Sequence, residues 1–195
     1  MGRSERREWG TDAVKLTGTY RKLVKNTTIN DTTLLSTDYL NHYNELVMMV
    51  EMVEDMPDML DEVMAWQPKT YQEHFHDSAF QHRDLAVWAY ENAPDDYREP
   101  MDDCIARIDA EIEEGIPELR KLAESGDRER LSHTVAHLTG ALRGRIDMMS
   151  ALINGAMDAK GYAARLAHEG NVEKDRAEGE TSSIMGQSAI DALFD

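Results

Sequence analysis

From Ser36 onward, apolar residues recur every three or four positions and almost nowhere alternate with polar ones. That spacing is the mark of amphipathic helices, not of strands. Tyr39, Leu40, Tyr43, Leu46, Val47, Val50 and Val53 predict a first helix, and Ser36 or Thr37 can cap it. Met56, Met59, Leu60, Val63, Met64 and Trp66 continue the pattern to Pro68, with Pro57 suited to the first turn of a second segment. Tyr71 to Phe75 starts a further helix. Another, capped by Asp77 or Ser78, carries Phe80, Leu85, Val87, Trp88 and Tyr90 and ends at Pro94. The strongest amphipathic signal follows Pro100: Met101, Ile105, Ile108, Ile112, Ile116, Leu119 and Leu122, with Gly115 and Pro117 as points of a kink. Ser125-Gly126-Asp127 reads as a stop and restart. A last long helix is then expected from about Arg128 to His168, on the near-heptad stripe Leu131, Val135, Leu138, Leu142, Ile146, Met149, Ile153 and Met157.

The expected fold is therefore all-α. It is a four- to five-helix bundle, in one chain or completed by a second copy, with a long antiparallel helical hairpin and a disordered C-terminal tether. The organisation read from composition is a polar, locally basic arm over 1–35 and a helical bundle over 36–168. A flexible linker over 169–185 and a helical docking peptide over 186–195 follow.

Charge and cysteine usage narrow the function. The 195 residues hold 38 acidic and 21 basic side chains, a net charge of -17. Such a chain repels nucleic acid and anionic membrane, so neither is an expected partner. The only cysteine is Cys104, which excludes an intrachain disulfide and suits a reducing cytoplasm. The charged start has no apolar signal region, and no apolar run is long enough to span a bilayer, so a cytoplasmic protein is expected. The stretch from Ser36 to Pro68 has no lysine or arginine. Its methionines, Met48, Met49, Met52, Met56, Met59 and Met64, are read first as core filling and second as an adaptable binding groove.

The last ten residues read GQSAIDALFD. Ser188 is a good N-cap, and Asp191 three residues on completes a capping pattern. Ile190, Leu193 and Phe194 then share one face of a single turn. So short a peptide does not hold a helix alone, so its stripe calls for a surface. Gln187, Ile190, Asp191, Ala192, Leu193 and Phe194 resemble the response-regulator-binding peptides of bacterial chemotaxis. The flagellar switch protein FliM carries one at its N-terminus and the phosphatase family of CheZ carries one at its C-terminus. The resemblance implies docking to a CheY-like response regulator, which needs no cofactor in this chain and leaves magnesium to the partner receiver. It also implies a body built on a long helical hairpin, able to form a homodimer.

The CheZ family promotes dephosphorylation with a helical D-x-x-x-Q pair. The amide positions the attacking water and the acid contacts a lysine of the partner, so the chemistry is mainly orientation. The long hairpin here contains no glutamine, which departs from that family. The one D-x-x-x-Q in the chain is Asp77 to Gln81, and helical spacing would put both side chains on one face. These are the catalytic candidates of a phosphatase reading, against an Asp77 that merely caps a helix.

A second reading is a metal site. His133 and His137 stand four apart, and the run LSHTVAHL followed by Arg143-Gly144 resembles the last metal-binding helix of DinB-like and hemerythrin-like four-helix bundles. Trp66-Gln67-Pro68 before His74 also resembles that family, which implies a divalent metal on His74, His133 and His137. Gly140 and Ala141 depart from its histidine-rich positions. His42 and Glu45 are the candidates for a carboxylate-bridged alternative.

Overall fold

The computed structural model describes residues 19–171, which are mainly helical. A short helical stretch over 19–23 is followed by seven helices: α1 (Leu40–Met52), α2 (Met59–Ala65), α3 (Tyr71–Asp77), α4 (Arg83–Glu91), α5 (Asp95–Ser125), α6 (Arg128–Ile153) and α7 (159–171). No strand is formed among the described residues; a lone bridge joins Ile29 to Ser36. The all-α bundle with its long hairpin is thus the architecture. No helix among the described residues is long and apolar enough to cross a membrane. The described residues divide into two compact units, one ending at Asp158 and the other beginning at Ala159. α7 belongs to the second, where an Arg165–Glu169 pair at 3.4 Å spans one turn of it.

The hairpin of α5 and α6 is the spine of the first unit. Ile108, Ile112, Leu119 and Leu122 of α5 are buried, as are Leu131, Val135, Leu138, Leu142, Ile146 and Met149 of α6. Each such side chain contributes roughly 1.5–3 kcal/mol on leaving water. Gly126, with φ of 73°, makes the left-handed turn between the two helices. Gly115 sets their closest approach: a Cβ there would lie 2.7 Å from Cδ1 of Leu138. α5 runs unbroken through Pro100 and Pro117, since packing along the rest of the helix outweighs the bond each proline removes.

α1 packs along the hairpin with Leu40, Tyr43, Leu46, Val47 and Val50 buried. Its start follows the expected cap: the Ser36 hydroxyl accepts from the Asp38 amide and opens a 3-10 turn, Thr37–Tyr39, that leads into the helix. α3 begins with a full capping box between Thr70 and Glu73.

Besides the start of α5 at Asp95, within a run expected to be a loop ahead of Pro100, two features depart from the expectation. The last long helix stops at Ile153 instead of reaching His168. Asn154 caps it and Gly155, at φ of 71°, turns the chain out. A carbonyl left open at that end is satisfied by the Thr33 hydroxyl, which donates to the Ile153 oxygen at 2.6 Å. The second feature is that part of the stretch read as a polar arm lies in the core. Val24, Ile29, Leu34 and Leu35 are buried, and Thr33 is fully enclosed. Asn30 shapes this loop, its side-chain oxygen accepting from the amides of Thr32 and Thr33 at 2.8 and 3.1 Å. Leu34 adopts a φ of 62°, strained for a leucine and tolerated because its side chain is fully buried.

Candidate functional site

The residues proposed from sequence fall in different places. Asp77 is the last residue of α3, and Ser78 beyond it is extended, with ψ of 158°. Gln81 lies past that break, ahead of α4. The four-residue spacing therefore does not set Asp77 and Gln81 on one helical face. The physical reason is local: the Ser78 hydroxyl donates to the Phe75 oxygen and accepts from the Phe80 amide, and so ends the helix. Asp77 does not cap the next helix, whose N-cap is His82. It pairs with Lys69 at 2.7 Å, a contact that holds its carboxyl below the usual range.

The three histidines of the metal reading are not brought together. His133 and His137 are exposed along α6, and His74 packs half-buried on α3 against Tyr39 and Phe75. Among the described residues no group of three or more His, Cys, Asp or Glu side chains is placed to hold a metal ion. His42 is buried while Glu45, three residues on, faces solvent, so that pair does not converge either. Gln187, Ile190, Asp191, Leu193 and Phe194 lie outside the described residues.

Most of the methionine stripe is not core. Met48, Met56 and Met64 are exposed, and Met49, Met52 and Met59 are half-buried. The core of α1 and α2 is filled instead by Leu46, Val47, Val50, Val53 and Val63.

What the fold does gather is a polar aromatic cluster where α1 meets α3, α5 and the strap 66–70. The Tyr43 hydroxyl donates to Asp109 at 2.9 Å and lies 3.2 Å from the Tyr39 hydroxyl, which donates to the Lys69 carbonyl at 2.8 Å. Burial pushes the Asp109 carboxyl above its ordinary value, and the Tyr43 hydrogen bond opposes this. Burial likewise raises both tyrosines.

His42 stacks on Trp66 at 4.5 Å and 23°, with Nε2 at 3.1 Å from the Gln67 carbonyl. Because that acceptor is a carbonyl, Nε2 carries the proton in the neutral ring. Burial, then the neighbouring His74, pushes His42 down to about 4. Burial also lowers His74. The centroids of the two rings are 5.9 Å apart. On the far side Tyr71 stacks on Tyr90 at 4.1 Å, accepts from the Ser36 amide at 2.8 Å, and Tyr90 donates to Asp102.

These polar atoms bond mainly to one another and to backbone, so the cluster locks the strap to the bundle. Sequence reasoning missed the Tyr43–Asp109 contact, whose members are 66 residues apart. The only trace was Tyr39 and Tyr43 at i and i+4 on an otherwise aliphatic face. Comparison with protein-family models, curated proteins and solved structures finds no match.

Proposed function

We propose that this protein is an adaptor that docks a CheY-like receiver domain through its C-terminal residues, with the helical bundle as its body. The closing sequence GQSAIDALFD carries the reading, because Ile190, Leu193 and Phe194 form a stripe that needs a surface. The polar run that precedes it suits a tether, and a body built on an antiparallel helical hairpin suits the resemblance. Hydrolysis gains no support, because Asp77 and Gln81 do not share a helical face. The proposed role is docking without water activation by that pair.

Energetics favour a transient complex. Ile190, Leu193 and Phe194 contribute roughly 1.5–3 kcal/mol each on burial. Ordering the segment and losing translational freedom offset much of that. A second contact on the bundle would raise apparent affinity through the tether.

The test titrates the full chain and a synthetic peptide of residues 181–195 onto receiver domains of the same organism, with and without beryllofluoride. Leu193→Ala and Phe194→Ala are each expected to weaken binding roughly tenfold, the equivalent of about 1.4 kcal/mol. Absence of binding to every receiver overturns the reading. Phosphate release from a phosphorylated receiver is expected to be the same for Gln81→Ala as for the unmodified chain.

A further inference from the structure

We infer that the seam between α1 and α6 is a second docking surface, for a basic amphipathic helix of a partner protein. The inference rests on the bundle alone and stands apart from the C-terminal peptide. Two recesses lie along this seam. One, of about 450 Å³, is lined by Val47, Met48 and Glu51 on α1 and Arg143, Ile146 and Asp147 on α6. The other, of about 340 Å³, is lined by Glu54 and Asp55 beyond α1 and Arg128, Glu129 and Leu131 on α6. Rising numbers on α1 and beyond it meet falling numbers on α6, so the two segments run antiparallel and both recesses lie along one seam.

The spacing fits a helix. On α6 the two linings, at Ile146 and Leu131, are fifteen residues apart, about 22 Å along the helix, a span that a docking helix of four to five turns covers. The floors are apolar: Val47, Ile146 and Leu131 are each at most 9% exposed. Met48 stands at the rim, 56% exposed. Met52 and Met56 continue the same flank at four-residue intervals, joined by the Met56 amide to Met52 carbonyl bond of 2.8 Å. Three of the five exposed large apolar side chains among the described residues are Met48, Met56 and Met64. Exposed apolar surface is thus concentrated on α1 and α2, in a side chain that adapts to varied partners.

Charge selects the occupant. Glu51, Glu54, Asp55, Glu129 and Asp147 face this groove, against Arg128 and Arg143. Arg143 is already paired with Glu51 at 2.6 Å. The stretch from Ser36 to Pro68 offers carboxylates and no lysine or arginine. A helix with leucine-like anchors on one side and lysine or arginine beside them matches both features. A second copy of this chain, with its net charge of -17, does not.

The probe is an 18-residue synthetic leucine–lysine helix, labelled and titrated with the full chain at 0.15 M salt. Saturable one-to-one binding is expected, with hydrogen-exchange protection on 44–55 and 128–147. Met48→Asp is the deciding variant. Its side chain is exposed, so the fold tolerates it, and circular dichroism checks this. If the groove binds, loss of the apolar rim weakens the complex about tenfold although negative charge is added. If attraction were only charge on charge, Met48→Asp would bind equally or more tightly, and the inference falls. It also falls if the probe does not bind, if protection appears elsewhere, or if a concentration-dependent dimer buries the seam.

Discussion

Removing one hydroxyl from Tyr43 tests how the polar cluster holds the bundle. Tyr43 is 1% exposed, and its hydroxyl is a donor to Asp109 at 2.9 Å. Tyr43→Phe keeps the ring and its edge-on contact with Tyr39, whose centroid is 5.6 Å away. It leaves a half-buried carboxyl without that donor. A lost hydrogen bond to a charged group costs roughly 1.5–3 kcal/mol, so about 2 kcal/mol is expected at pH 7. For a chain of this size that is a fall in Tm of about 4–8 °C. Denaturant melts with and without Asp109→Asn complete a double-mutant cycle, and the two changes are expected to couple because the groups touch. The direction of titration is a second readout. The Tyr43 bond holds the Asp109 pKa down against burial, so Tyr43→Phe raises it further, as carbon-13 NMR of the carboxyl would show. A loss below about 0.5 kcal/mol at pH 7, with an unmoved Asp109 titration, refutes the account.

Other outcomes follow from the same contacts. His42 is pushed down from 6.5 to about 4, so its stabilising contribution is present above pH 6.5 and is lost as pH falls toward 4. The loss is at most about 3 kcal/mol, and acid-dependent melts of His42→Gln, which can keep the bond to Gln67, are expected to be flatter over that window. Asp109 has the opposite sign: with a raised folded pKa, its contribution is present below the ordinary aspartate range and is lost as pH rises through the folded value. Gly115→Val drives a side chain into Leu138 and is expected to cost about 1–3 kcal/mol in denaturant melts, relieved in part by Leu138→Ala. Thr33→Val removes the donor to the Ile153 carbonyl and is expected to cost about 1 kcal/mol, with faster hydrogen exchange at the end of α6.

The helical register was legible where burial and periodicity coincide. Tyr39, Leu40, Tyr43, Leu46, Val47, Val50 and Val53, picked out by spacing, are all buried. The end of α6 was misread because the stripe persists past a break. Met157 keeps the heptad beyond Ile153, but Asn154-Gly155 ends α6, a cap signal that periodicity overrode. At Asp77 the opposite happened: a D-x-x-x-Q spacing has meaning only inside a helix, and Ser78 ends it. The buried loop from Ile29 to Leu35 was hidden by its polar composition. Asn30 and Thr33 satisfy backbone groups there, while only Ile29, Leu34 and Leu35 supply apolar surface.

By itself the sequence determined the helical class, the long hairpin, the acidic character and the isolated amphipathic signal at Ile190, Leu193 and Phe194. All of these depend on neighbours within a turn or on charge sums, which a linear pattern contains. Only the tertiary structure decided which polar groups meet. Tyr43 reaches Asp109 because α1 packs along the hairpin, and His42 lies against Trp66 because the strap folds back over α1. The same packing kept His74 from His133 and His137, and it turned Met48 and Met56 out to the surface instead of into the core. Side-chain direction and long-range proximity follow from how helices cross, and a one-dimensional period does not specify that crossing.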